Sequence, residues 1–241
     1  MEIPILFEDD SLLVINKPPG VVVQRANSVK SQTVEDWMEE KVPRLKLEGH
    51  SDEDKIFQGR AGIVHRIDKE TSGCLLLAKT PQAFGELQKQ FKDHQVTKTY
   101  LAIVHGKLVP EQGEIRAPVG RLPWHRERFG IVPGGKEAVT KYTVGQTWQA
   151  VHDERKEEVS LVELYPETGR THQIRVHLKY MSHPIVGDYL YAGRKVSRAD
   201  RAWVGRVMLH AWKIAFLHPV TGSQLAMEAP IPDDMKRIMR Q

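Results

Sequence analysis

Apolar positions along this chain change their spacing from segment to segment, and each change marks a predicted element. The opening "PILFEDDSLLVINKPPGVVV" carries short apolar runs broken by a turn at Asp9 to Ser11 and by a Pro-Pro-Gly turn before Val21. That pattern predicts β structure from the first residues. Thr33, followed three places on by Asp36, resembles a capping box and predicts a helix running to Lys41. From Pro43 to Gln58 the sequence turns polar and aperiodic, which predicts a mobile loop. Thr80-Pro81 starts a second helix, with Phe84, Leu87 and Phe91 on one face against a sheet.

Further strands are predicted at Lys98 to His105, Ala138 to Val144 and Val159 to Tyr165. A "PETG" turn and a helix from Thr171 to Met181 follow. In that helix Ile174, Leu178 and Met181 form the apolar stripe, while Arg175 and Lys179 lie off it at i and i+4. The last quarter predicts strands at Val207 to Leu217 and Gln224 to Ala229 around "HPVTG", then a short helix. Strands with helices inserted irregularly give an α+β class with a mixed, largely antiparallel central sheet and flanking helices. The length of 241 residues fits a single domain over 1–241.

Composition narrows the classes. With 40% hydrophobic residues, no apolar run of spanning length and no signal-peptide pattern at "MEIPILFEDDSLL", the expectation is a cytoplasmic protein without a membrane partner. Cys74 is the sole cysteine, which excludes an internal disulfide and a thiolate metal cluster and fits a core position. The net charge is only +4, but nine Lys or Arg fall between Arg170 and Lys213 against Asp188 and Asp200 alone. A second basic cluster, "RLPWHRER" at 121–128, sets Arg121, Arg126 and Arg128 around Trp124 and His125. Both suggest a polyanionic partner, since mixed cations and rings suit looped or single-stranded nucleic acid. A solvated basic surface is the plain alternative.

The candidate chemistry centres on "GIVHRIDKETSGCLLLAKT", where charge interrupts a strand-like run. Residues two apart on an extended segment share a side, so Arg66 and Asp68 project together from a strand end. A carboxylate near cations stays ionised and can act as a nucleophile. On spacing alone, a turn-capping Asp68 beside a surface Arg66 is the simpler reading. The histidines give no metal pattern: His172 and His177 are five apart and His65 has no i+4 partner. There is no P-loop, no dinucleotide fingerprint and no G-x-S-x-G elbow around Ser72. A two-carboxylate glycosidase using Asp68 and Glu167 stays open.

"HRIDKETSG" resembles the H-R-L-D-x-x-T-S-G signature of the RluA family of pseudouridine synthases, with Ile67 in the place of leucine. "KTYLAIVHG", "ETGRTHQIRVHL", "HPIVGDYLY" and "LHAWKIAFLHPVTG" match in the same order. The resemblance implies the pseudouridine synthase fold, with the sheet and its helices and loops around an RNA-binding cleft. It implies an isomerase that turns uridine of ribosomal or transfer RNA into pseudouridine after flipping the base, with no cofactor and no metal. By the same resemblance Asp68 is the catalytic aspartate, Tyr100 stacks on the target base, and Arg175 pairs with the aspartate. Arg66 takes the flipped base's place in the stack, and His65, Lys98, Arg170 and His172 contact the RNA. The catalytic pattern starts within ten residues of the N-terminus, which implies a stand-alone catalytic domain without the N-terminal S4 domain of many relatives. A monomer is expected. A non-catalytic RNA-binding protein of this fold and a nucleic-acid N-glycosidase are the competing readings.

Overall fold

The computed structural model describes residues 1–26, 29–46, 51–123, 125–152 and 155–240, less the side chains of Arg44, Lys46, Arg126, Glu127 and Arg155. In chain order the elements are β1 (Ile5–Glu8), β2 (Leu12–Lys17), α1 (Val34–Lys41), a 3-10 turn (Pro43–Lys46), α2 (Asp52–Gly59), β3 (Ser72–Ala78), α3 (Pro81–Lys92), β4 (Thr97–His105) and β5 (Gln112–Arg116). Then come β6 (Val119–Leu122), β7 (His125–Ile131), β8 (Val139–His152), β9 (Arg155–Pro166), α4 (Gln173–Tyr180), α5 (Arg194–Asp200), β10 (Leu209–Leu217), β11 (Gln224–Glu228) and α6 (Asp233–Met239). The class is α+β with largely antiparallel strands, as the pattern predicts. No helix among the described residues is long and apolar enough to cross a membrane.

The chain divides into two compact units, Met1–Lys98 with Ala211–Pro230, and Thr99–His210 with Ile231–Gln241. In the first, the strand order is β1-β2-β3-β10, with β11 on β10. Leu12 to Ile15 and Leu75 to Ala78 are completely buried. Strands that are apolar without alternation are covered on both faces. Helix α3 packs on β3 and α2, with Phe84 edge-on to Phe57 at 5.9 Å between ring centres. The predicted caps form as expected: Thr33 and Asp36 exchange hydrogen bonds at α1, and Thr80 caps α3 with Pro81 at its first position. Cys74 is buried, and loss of solvation pushes its thiol up to about 12.

Two segments differ from expectation. Within 43–58 lie the 3-10 turn and α2 rather than a loop throughout, and α2 opens on its own capping box of Ser51 and Asp54; residues 47–50 lie outside the described residues. Helix α2 has little apolar periodicity, so the pattern of apolar positions did not reveal it. Before Asp68 there is no strand but a single bridge, Ile63 to Leu77, followed by extended chain.

In the second unit the order is β4-β9-β8-β5, antiparallel throughout, beside the hairpin of β6 and β7. Strands β8 and β9 run well past the predicted bounds because their outer halves pair with each other from Val144 to His152. The His105 ring links three elements: Nδ1 meets Glu157 at 2.7 Å and Nε2 meets Asp200 at 3.2 Å. Burial opposes charge on this ring, but the carboxylates of Asp200 and Glu157 outweigh it and hold the pKa up to about 9. The ring is therefore a buried imidazolium between two acids, which is the group of three side chains that would otherwise suit a cation.

Because the folded value lies above the ordinary 6.5, this stabilisation is complete below about pH 6.5 and is lost as pH rises through about 9. A shift of that size corresponds to about 3 kcal/mol. Thermal melts of the native chain from pH 6 to 10 should show the midpoint falling across this window, and His105→Gln should flatten the fall. Parallel curves for the two proteins would rule the imidazolium out.

Candidate active site

The turn that carries Asp68 is built from below. Thr71 donates its N–H to the Asp68 carbonyl at 3.1 Å, closing the turn, and Ile67 is buried beside it. Lys17, at the end of β2, is fully buried, and its ammonium donates to the carbonyls of Pro18 (2.8 Å), Val21 (2.9 Å) and Lys69 (3.0 Å). Gly20 N–H also reaches Lys69 O, at 2.9 Å. A buried ammonium needs such acceptors, so the Pro-Pro-Gly turn and the Asp68 turn are held as one piece. Gly73 takes φ +110, and a Cβ there would collide with the Ala211 backbone; only glycine lets β3 start here. Asp68 is partly exposed and Arg66 exposed, on either side of buried Ile67.

His65 has a different task from the expected RNA contact. Its Nε2 accepts the Leu76 N–H at 2.9 Å and its ring stacks on Phe91 at 4.6 Å. Desolvation, with the Lys98 charge adding to it, lowers its pKa to about 3, so it is a neutral strut between the Asp68 segment and β3. Burial likewise pulls the Lys98 ammonium down from its ordinary value. Along β4, partly exposed Lys98 and Tyr100 alternate with buried Thr99 and Leu101, and Tyr100 lies opposite Leu164 of β9.

Arg175 is not the surface helix residue that spacing suggested. All six residues from Gln173 to Leu178 are buried. Arg175 Nε and Nη2 form a two-pronged pair with Asp188 at 2.8 and 2.9 Å, and the guanidinium lies over the Tyr191 ring at 5.0 Å. Asp188 is completely buried and also accepts the N–H groups of Leu190 and Tyr191, both at 3.2 Å. The Tyr191 hydroxyl bonds His172 Nδ1 at 2.8 Å and accepts Phe129 N–H. His172 starts α4 in the left-handed region at φ 56. Gln173 serves the same turn, accepting from Thr168 and Arg170 N–H while donating to Val139 O and Thr140. Exposed Arg170 donates Nε to Glu137 O.

The basic half of the sequence therefore sorts into inner and outer cations. Arg175 belongs inside, and so does Arg206, which pairs with Asp234 through Nε and Nη2 at 2.6 and 2.8 Å. Of the 121–128 cluster, Arg121 sits over Phe129 at 5.3 Å, while Trp124 and the Arg126 side chain lie outside the described residues. Glu167, the second carboxylate of the glycosidase reading, is exposed and paired with Lys141 at 2.7 Å.

The comparisons bear on this geometry. A family model described as RNA pseudouridylate synthase matches residues 11–180. The chain belongs to the RNA pseudouridylate synthase family. The segment "HRIDKETSG" lies inside the matched span, and relatives align along nearly the whole chain. The ribosomal large subunit pseudouridine synthase D of Nitrosomonas europaea is 40% identical over 98% of this chain. An uncharacterized RNA pseudouridine synthase of Bacillus subtilis, YhcT, is 37% identical over 99% of it and 72% of its own length. The chain spans 64% of the length of the Nitrosomonas relative. Among solved structures, human RNA pseudouridylate synthase domain containing 1 is 28% identical with a TM-score of 0.71, covering 95% of this chain and 83% of that one. The pseudouridine synthase fold expected from the motifs is thus confirmed.

Lys17 and Asp188 carry the local architecture, each within its own unit, and neither stood out in the sequence. Asp188→Ala strands a buried guanidinium and should lower stability by about 3–5 kcal/mol in urea unfolding. Lys17→Met leaves three carbonyls without their donor and should cost about 2–4 kcal/mol. Losses below 1 kcal/mol in both variants would show that these cations are not internal fixtures.

Proposed function

We propose that the protein is an RNA pseudouridine synthase acting on uridine in ribosomal or transfer RNA, with Asp68 as the catalytic carboxylate. The observation that carries this reading is Asp68 in "HRIDKETSG", within the span matched by the family, on a partly exposed turn locked by Lys17 and Thr71. The reaction breaks the C1'–N1 bond, turns the uracil and joins C5 to C1'; C5 loses a proton and N1 gains one. Atoms and electrons balance without a co-reactant. Asp68 either attacks the sugar or removes a sugar proton, and uracil leaves as a delocalised anion.

The target base must leave its stack, at a few kcal/mol, and stacking on Tyr100 returns about 1–3 kcal/mol. Arg66, exposed beside Asp68, fills the gap in the stack. Arg175, its orientation set by Asp188 and Tyr191, is the basic residue assigned to the reaction. Lys98, Arg170 and His172 contact the RNA, and His65 keeps the Asp68 segment on β3. Ribosomal large-subunit RNA is the first substrate to test, because the Nitrosomonas relative is named for it.

Asp68→Asn should reduce pseudouridine formation at least about a thousandfold while circular dichroism and RNA affinity hold. Cyanoethylation with mass spectrometry reads the product. Full activity in the variant overturns the assignment. Free uracil from the native protein would mean an N-glycosidase instead, and binding without any change to the RNA would mean a non-catalytic protein.

A further inference from the structure

Helix α5, which the sequence pattern did not reveal, carries an unbalanced charge. Arg194, Lys195, Arg198 and, at its end, Arg201 are all exposed. Arg194, Arg198 and Arg201 follow the i, i+4, i+7 spacing of one helix face. None of the four has an acidic partner among the described residues. The acid of the helix, Asp200, points the other way and is completely buried. Cations at 198 and 201 suit the negative end of the helix dipole, but those at 194 and 195 sit at the positive end, with no acid in the first turn. Like charges at i and i+4 also repel. The free protein is thus loaded against its own electrostatics on this face, a cost that a polyanion removes.

The helix is rigidly seated. Asp200 Oδ2 accepts the Gly187 N–H at 2.8 Å and meets His105 at 3.2 Å, and Ser197 donates to Tyr189 O. Arg201 lies over the Tyr189 ring at 4.9 Å, and the Tyr189 hydroxyl donates to Val204 O. Gly187 has φ +76, and a Cβ there would strike Arg206 O, so the tie needs glycine. The next residue is Asp188, which holds Arg175. The cationic face is therefore at a fixed geometry to the Arg175 ion pair.

We propose that α5 is an RNA-docking surface whose Arg194, Lys195, Arg198 and Arg201 hold phosphates of the substrate RNA outside the target nucleotide. This rests on the RNA reading of the preceding section. A membrane surface is the other polyanion, but α5 has only Val196 and Ala199 as apolar residues and so lacks an anchor for lipid.

The test is filter binding of the full chain to a large-subunit ribosomal RNA transcript over about 50–200 mM salt, with anionic phosphatidylglycerol vesicles as a second probe. The combined change Arg194→Gln, Lys195→Gln and Arg198→Gln should make the slope of log affinity against log salt shallower by about two to three units and weaken binding at least about tenfold. Arg194→Lys with Arg198→Lys should keep the native slope, because phosphates read charge. Should the triple variant fold poorly, single Arg194→Gln and Arg198→Gln decide, each removing about one unit. An unchanged slope overturns the surface, as does loss of vesicle binding with the RNA slope intact. A native chain that makes pseudouridine alongside an unchanged variant slope sinks only the surface. A native chain that makes none, with the variant slope still reduced, sinks only the catalytic reading.

Discussion

A cation taken out of water must be met by acceptors wherever it ends up, and this protein buries several. The ammonium of Lys17 is closed over by three carbonyls, Arg175 by Asp188, Arg206 by Asp234, and the imidazolium of His105 by Glu157 and Asp200. Leaving any of them unpaired costs several kcal/mol, so each fixes its surroundings in one arrangement. Lys17, Arg175 and His105 fix, in that order, the turn of Asp68, the helix of Arg175, and α5. These are the segments on which the proposed reaction depends.

That constraint also shows how far charge counting in the sequence carries. The nine cations between Arg170 and Lys213 suggested one basic surface. Arg175 and Arg206 instead belong to the interior, Lys213 sits over the Trp212 ring at 3.6 Å, and the outer charge gathers on α5. The acids that neutralise the inner pair are far along the chain: Asp188 is 13 residues from Arg175, and Asp234 is 28 from Arg206. Periodicity sees a helix face, not a partner brought by a later turn. The same limit explains Lys17, which reads as an ordinary strand-end lysine until Lys69 O is seen beside it.

What was legible had local causes. Thr33 with Asp36, and Thr80 with Pro81, announce α1 and α3 because capping is settled within four residues. The apolar runs of β2 and β3 and the cores of β4, β8 and β9 follow from composition alone. Helix α2 was missed, since Phe57 is its one buried side chain and no apolar face marks it. The extended chain before Asp68 looked like a strand because it is apolar, yet pairing fails after Ile63: the His65 ring, not a neighbouring strand's carbonyl, answers the Leu76 N–H. For the proposed site, the motifs nominate Asp68, Tyr100 and Arg175, while the residues that hold the Asp68 turn and Arg175 show only in three dimensions.

The split between inner and outer cations has a consequence for the proposed chemistry. In the proposed reaction the base must leave its stack before any bond changes, so turning it out has to draw on RNA binding. Phosphate contacts supply that energy only when they are wet, exposed and able to release counterions, as on α5. Orientation at the sugar demands the opposite: side chains with no rotational freedom, held by partners out of solvent, as Arg175 is. One chain meets both demands by placing Asp200 under α5 and Asp188 beside Arg175, joined through Gly187. On the proposed function, an arginine's burial, more than its presence in a basic stretch, then tells whether it attracts the RNA or aligns it.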